Sequence, residues 1–511
     1  MTKADFLQWL GESERDFPVA AWTAHGVRVW PIVRLQLLAQ NANASVLQDA
    51  VGGGARRNAA AVARVVGTWA AATARDWRHN TIRLRRADAV FLAYSSGNQP
   101  TIDGRRYNPL LAPYVHLLQR TGRTAAVWEM CHEGEYNIPR SIPSAFIQPQ
   151  LLAHRIASLF MYRPNEDDAV VDGFRELVAR ARAAGLVNRY TNVRALLRDT
   201  YFVRRTADWF KRRLAIVGPS HGFVADYGLR EQAFCLACRE LGIPSVELQH
   251  GVINDTHPAY AGWQAVPVGG YESRPALFWC WDATGVAAIE RWAARAPGGA
   301  RAVLGGDPWR EQWRQDDAVL VRAFDERIAT IKEALPASAH VLVTLDPTGA
   351  VVPDILIEAM RRSPAEWCYW VRLHPLGQRA RLPDARRTLD ANRIRCAPVH
   401  LSSEWPLHAV LRHVDAHVTG CWSTVVMEAE DFGVSSVACA ERAREVFPQQ
   451  MADGTLRIAA TPDELLTAVA LQIRNRRPRR AVSAADPERA LRDALSTAPR
   501  RPTAPAYPAA S

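Results

Sequence analysis

The feature that most constrains this chain is a rhythm. Short apolar runs that end in turns alternate with longer stretches whose apolar residues recur every three or four positions. ADAVFLAY, TAAVWEM, HGFVADYG and PSVELQHG are runs of the first kind, and 109–120, 146–216 and LREQAFCLACRELG are stretches of the second. Apolar strands separated by helices predict a parallel sheet covered by helices. The rhythm restarts near residue 276 with PALFWCW, RAVLGG, AHVLVTLDP, EWCYWVRLHP, VDAHVTG and VSSVACA, and a last helix is expected over 461–474. At 511 residues the chain is too long for one ordinary core, so we expect two doubly wound α/β lobes with a cleft between them. The reading divides the chain into an N-terminal helical extension over 1–85, a Rossmann-like acceptor lobe over 86–275 and a Rossmann-like nucleotide-binding lobe over 276–475. Residues 476–511, rich in Pro, Ala and Arg, read as a disordered tail.

Lys plus Arg exceeds Asp plus Glu by 63 − 52 = +11. That excess suits an acidic ligand, an anionic polymer or a membrane surface, and equally an Arg-rich genome. The basic residues are scattered and not interleaved with stacking aromatics, which argues against nucleic acid as a partner. Within the extension, residues 55–86 read as a basic amphipathic helix, open to two uses: packing on the main domain or lying on an anionic bilayer. The N-terminus has no signal-peptide pattern, and no apolar run reaches the ~18 residues of a membrane span. A cytoplasmic protein, peripheral on the inner membrane face if it meets lipid, is the expectation. The eight cysteines are dispersed, and Cys235 and Cys238 lie in a helical stretch without a second pair, so they read as buried, reduced thiols.

In open α/β sheets, ligands sit at the carboxyl ends of strands. Four clusters fall there. In VADYGLRE, Asp226 either faces the cleft as a base or caps the following helix, with Gly228 turning the chain. In VELQHGVINDTHPAY, Glu247, Gln249, His250 and Gly251 follow an apolar strand, and His257 and Tyr260 share the loop. His250 is placed to act as a base, with Gly251 turning the backbone sharply. Two histidines seven apart without a third ligand make a poor metal site. In YWVRLHPLG, Arg372 and His374 alternate onto one face of a strand end, fit to hold a phosphate leaving group in place of a metal. In HVTGCWSTVVMEAEDFG, Ser423 and Thr424 stand where a strand turns into a helix through Gly420, a second anion-binding arrangement. Glu428, one turn on, is placed for ribose hydroxyls. Asp307, after Gly305 and Gly306, belongs to an inter-lobe or nucleotide-loop turn. No phosphate-binding G-x-x-x-x-G-K-[ST] loop, dinucleotide G-x-G-x-x-G or G-x-S-x-G elbow is present.

ELQHG followed by H-P-x-Y, then RLHP, then S-T…E-A…F-G, together resemble bacterial GT-B glycosyltransferases of capsule and surface-polysaccharide loci. VRVWPIVR looks like the N-terminal signature of such proteins. The HP and ST pair is similar to motifs of bacterial sialyltransferases and polysialyltransferases, and HG with HP is similar to teichoic-acid glycerophosphotransferases. The resemblance implies that His374, Ser423 and Thr424 bind the phosphate of a nucleotide-activated donor, with cytidine one option. It implies that His250 or Asp226 is the base. The acidic motif of sialyltransferases is present only as Asp226-Tyr227-Gly228. The expected activity is metal-independent glycosyl transfer, with the nucleotide-sugar as substrate and no cofactor, onto an oligosaccharide or lipid-linked glycan. A CDP-polyol phosphotransferase, a nucleotide-sugar epimerase and a non-catalytic scaffold in polysaccharide assembly are the competing readings. The scaffold gains ground if Asp226, His250 and His374 are buried and far apart.

Overall fold

The computed structural model describes residues 2–42, 67, 70, 74, 85–95, 99–131, 139–186, 192–295, 299–346, 349–375, 378–420, 423–479 and 485–496. Two parallel sheets organise them. The first contains β1 (Ala89–Ser95), β2 (Ala125–Cys131), β3 (Ala145–Phe146), β4 (His221–Val224), β5 (Ser245–Leu248), β6 (Leu277–Cys280) and β7 (Arg301–Leu304). Their spatial order is β7-β6-β5-β4-β1-β2-β3. The second contains β8 (Ala339–Thr344), β9 (Trp367–Arg372), β10 (Ala416–Thr419), β11 (Ser435–Ala438) and β12 (Leu456–Ile458), in the order β9-β8-β10-β11-β12. Every pairing in both is parallel. The two-lobed, doubly wound α/β reading therefore holds.

Sequence patterning explains the layers. β4, β5, β6, β8, β10 and β11 are buried at every residue, as strands sheltered on both faces must be. The 25-residue helix Val193–Val217 starts where the Asn192 side chain accepts from the Ala195 amide. It ends at Gly218, whose φ of 65° is the left-handed stop that glycine adopts without penalty. Cys235 and Cys238 are buried and unpaired in the Leu229–Glu240 helix, as core thiols.

Three boundaries differ from the sequence reading. The division at 275/276 falls inside the first sheet, because β6 pairs with β5 (Val246 opposite Leu277) and β7 with β6. The second lobe begins after Gly305-Gly306-Asp307, where Asp307 caps the Pro308–Gln312 helix. A βα rhythm continues across a lobe boundary without marking it. The N-terminal extension is not a separate unit. Helices Lys3–Asp16 and Trp30–Ala42 deliver Trp9, Trp30 and Leu37 into the first-lobe core, the connection between them adds Trp22, and Thr23–Ala24 pairs with Ala169–Val170. The basic stretch 55–86 lies almost wholly outside the described residues. Within the expected tail, Pro487–Leu495 is a helix that returns to the first lobe and buries Ala490, Leu491 and Ala494 there. Its apolar spacing outweighs the surrounding Pro and Arg. No described helix is long and apolar enough to cross a membrane.

Candidate functional site

Strand order locates the crevices. In the first sheet it reverses between β1 and β4, and in the second between β8 and β10. Ligands in such sheets bind outside the carboxyl ends of the strands at that switch. Asp226 lies two residues beyond β4, at the first switch, and Gly420, Ser423 and Thr424 follow β10, at the second.

Asp226 is not the helix cap; Gly228 occupies that position. Its Oδ1 accepts from the Tyr227 amide at 2.6 Å and stands 3.8 Å from Nε2 of His250, which follows the adjacent β5. Both side chains reach solvent, 40% exposed for Asp226 and 22% for His250. An imidazole beside a carboxylate at an open strand end can take a proton and have the resulting cation stabilised. The Tyr227 ring packs against His250 at 5.5 Å, Tyr260 at 5.4 Å and His257 at 6.1 Å, forming one wall of this site.

The neighbours of His250 are more structural than their sequence suggests. Gln249 is buried, with its amide oxygen accepting from Trp281 N at 2.7 Å and its amide nitrogen donating to Gly251 O at 2.8 Å. It pins the loop and does not face the cleft. Glu247 is buried and accepts from the Tyr260 hydroxyl. His257 accepts from the Ala259 amide, and burial, followed by Lys3 and His250, lowers its pKa to about 3. It is a neutral loop brace. Gly251 does not have the left-handed backbone expected of a sharp turn. Among the described residues nothing lies within 4 Å of where its Cβ would be, so the glycine leaves open space beside His250. Gly228 also lacks a left-handed φ; a Cβ there would meet Glu231 Oε2 at 2.5 Å.

In the second lobe His374 stands exposed just past β9. Desolvation on its inner side, then Arg372 and Arg381, lower its pKa to about 4, which leaves a neutral imidazole beside two cations. Arg372 is less available than its position suggested. Its Nη1 donates to the carbonyls of Ser402 and Trp405, tying β9 to the Val399–Glu404 helix. The Ser423 hydroxyl accepts from Val425 N at 3.3 Å, and Thr424 begins the Val425–Asp431 helix. Glu428 is turned inward, 3.0 Å from His408 Nε2. Burial, which would raise its pKa, is outweighed by His408, Arg310 and Thr424, and the carboxyl sits at about 2. The ribose contact expected of Glu428 is replaced by this internal pair. Asp307 is buried at the crossing between lobes, where it accepts from Trp309 N and Arg310 N.

Two residues that the sequence reading passed over belong here. Asp346 follows β8 at the second switch, and its Oδ2 would lie 2.8 Å from a Cβ on Gly420. Its signal was the strand-end Asp-Pro of VTLDP. Glu231, inside VADYGLRE, reads as a helix-face residue, and nothing in its spacing marks it as buried.

The lobes meet beside both clusters. Val252, two residues after His250, packs against the apolar cluster that contains Val426, two residues after Thr424, with Val446 and Phe447. Asn254 donates to the Val446 carbonyl at 3.3 Å, and Tyr107 stacks on Trp309 at 4.7 Å.

No family model matches the sequence, and no curated relative matches it. Solved structures do show similarity. The UDP-GlcNAc 2-epimerase of Methanocaldococcus jannaschii is 11% identical over 79% of this chain and 97% of its own, with a TM-score of 0.46. That of Neisseria meningitidis, bound to UDP-GlcNAc, is 12% identical over 80% and 99%, at 0.44. The wall teichoic acid polymerase TagF is 11% identical over 84% and 96%, at 0.42. At this level of likeness the fold rests on the two sheets themselves.

Proposed function

We propose that this chain is a two-lobed GT-B glycosyltransferase that moves a sugar from a nucleotide-activated donor to a bacterial surface-polysaccharide acceptor. The observation that carries this reading is the meeting of the two strand-end clusters. The loop leaving His250 packs against the apolar cluster that holds Val426, in the helix after Thr424, and this contact supports a cleft shared by the base and the phosphate site. His374, Ser423 and Thr424 hold the donor phosphate. His250, stabilised by Asp226, removes the acceptor hydroxyl proton as the oxygen bonds to the anomeric carbon and the nucleotide leaves. Cytidine is the nucleobase to test first, by the resemblance of the HP and ST motifs. Acceptor, cytoplasmic location and peripheral membrane contact follow from the same resemblance. The transfer uses no cofactor beyond the donor and no metal.

The scaffold reading required Asp226, His250 and His374 to be buried and scattered. Instead Asp226 and His250 are paired and partly open, and His374 is exposed. A polyol-phosphate transferase needs a strongly basic acceptor cleft, whereas the open strand end of the first lobe carries a carboxylate, Asp226, beside His250.

The test separates the lobes. Purified protein is melted with CMP, CDP, UDP, GDP or dTDP, a ligand of the native state raising Tm by mass action. One nucleotide is expected to stabilise the protein, and His374→Ala to weaken it roughly tenfold, about 1.4 kcal/mol. His250→Ala is expected to leave that binding intact and to lower transfer by about 10²- to 10⁴-fold. Nucleotide binding unchanged in His374→Ala removes the phosphate assignment. Transfer unchanged in both His250→Ala and Asp226→Asn removes the base.

A further inference from the structure

Behind Asp226 the first lobe has a small, partly open cavity with several polar groups in its walls, which the transfer step does not itself use. Asp226, Tyr227, Glu231, Gln232, Glu247 and Arg274 line it, with Ser273 at its side. Glu231, Glu247 and Ser273 are only 4%, 1% and 1% exposed. Five buried polar atoms of its walls have no hydrogen-bond partner among the described residues: Glu247 Oε2, Gln232 Oε1, Ser273 Oγ, and Nε and Nη2 of Arg274. Each such atom costs about 1–3 kcal/mol if it stays unpaired. Donors and acceptors gathered around one void call for a shared partner that can both give and accept. About 20 Å³ is open to the centre of a water molecule, room for one or two.

The charges narrow the arrangement. Asp226 and Tyr227 face the cavity from the strand-end loop, Arg230, Glu231 and Cys235 come from the Leu229–Glu240 helix, and Glu247 stands on β5. Tyr260 and Arg274 close it from the following loops. Two buried carboxyls beside the Asp226 carboxylate cannot both ionise cheaply, even with Arg230 and Arg274 near them. We propose that an internal water in this cavity links Glu231 and Glu247, as hydrogen-bond donors, to the Asp226 carboxylate, so that the two glutamates are positioning residues for the base. Burial raises both pKa values to about 8, helped at Glu231 by the charge of Asp226 and at Glu247 outweighing the Tyr260 hydroxyl and Arg274. A protonated carboxyl donates where a carboxylate could only repel. Gly228 is part of the device, because its missing Cβ admits the Glu231 carboxyl.

The consequence for catalysis rests on Asp226 serving the base, but the test needs no substrate. Protein labelled with ¹³C at the aspartate carboxyls is titrated by NMR, with Asp226 assigned from Asp226→Asn. The Asp226 resonance should step near pH 8 as the glutamates lose their protons. The step should vanish in Glu231→Gln/Glu247→Gln, whose amides are isosteric with the neutral acids and keep a donor. Infrared spectra of the native protein at pH 7 should contain a protonated-carboxyl band that disappears above pH 8. Absence of that band overturns the proposal even if the double variant does not fold, and so does a step that survives in the variant. If transfer proves insensitive to Asp226→Asn while the step and band are found, the water-linked pair stands and only the base assignment falls.

Discussion

The two lobes place their chemistry at equivalent points of equivalent sheets, yet treat a buried glutamate in opposite ways. In the first lobe Glu231 and Glu247 share a cavity with Asp226, whose charge adds to the cost of ionising them. Desolvation wins, and both are pushed up to about 8. In the second, Glu428 is mostly shielded, with 15% of its side chain exposed, but His408, Arg310 and Thr424 act on it and it falls to about 2. Burial alone does not set the charge of a site; the balance of anions and cations within reach does. The first lobe thus keeps neutral acids beside the proposed base, and the second keeps a fixed anion beside Arg310 and His408.

The largest expected effect comes from the buried pair that supports the first-lobe site from below. Arg34 donates to Glu14 and to the carbonyls of Pro258 and Ala261, in the loop that carries His257 and Tyr260. Glu14 also accepts from Trp30 Nε1 and from the amides of Gln264 and Ala265. Arg34→Met strands a carboxylate that is fully buried. The loss should be about 3–5 kcal/mol, read as a lower urea midpoint at constant m-value. A loss below about 1 kcal/mol would mean that the extension is dispensable to this lobe.

The opposite protonation of the glutamates gives the next effect. Glu428 has a folded pKa below its unfolded value of about 4.5, so the unfolded state binds more protons between pH 2 and 4.5. Its stabilisation is present above pH 4.5 and is lost as pH falls through about 2, on the order of 3 kcal/mol. For Glu231 and Glu247 the sign reverses. The folded state holds their protons between pH 4.5 and 8, and stability declines as pH rises through that window. These contributions are read as differences between native and variant curves of melting temperature against pH, because the neutral His257 and His374 make stability rise with pH toward 6.5 and oppose the two glutamates there. Glu428→Gln should flatten the acid limb and leave the other; flattening of both would show that the two sites are not independent.

The sequence exposed the large features of this comparison and concealed the electrostatic ones. Strand-end placement of Asp226, His250, His374, Ser423 and Thr424 was readable because apolar runs end visibly. The strand orders were not, since pairing between runs is a tertiary choice, and so β6 and β7 were assigned to the wrong lobe. Gln249, Arg372 and Glu428 had the right residue types at the right offsets, yet their partners come from distant segments: Trp281 for Gln249, Ser402 and Trp405 for Arg372, and His408 for Glu428. Periodicity also could not show that Glu231 folds back over Gly228. The Pro487–Leu495 helix was hidden by composition, because Pro and Arg flank a short apolar face that only the first lobe makes useful.

The smallest expected effect is on stability, at Gly251. Its backbone is available to any residue and its Cβ position is open, so Gly251→Ala should change stability by no more than about 0.5 kcal/mol. Thermal melting should scarcely separate the two proteins. The same methyl would project into the space beside His250, where the proposed acceptor hydroxyl must approach. Transfer should fall with a raised acceptor KM while donor-nucleotide binding in the second lobe stays unchanged. A variant with native acceptor KM would place the acceptor on the other side of the imidazole, toward Asp226 and Tyr227. A large loss of stability would instead mean that the space beside His250 is filled in the folded protein, and that Gly251 has a packing role.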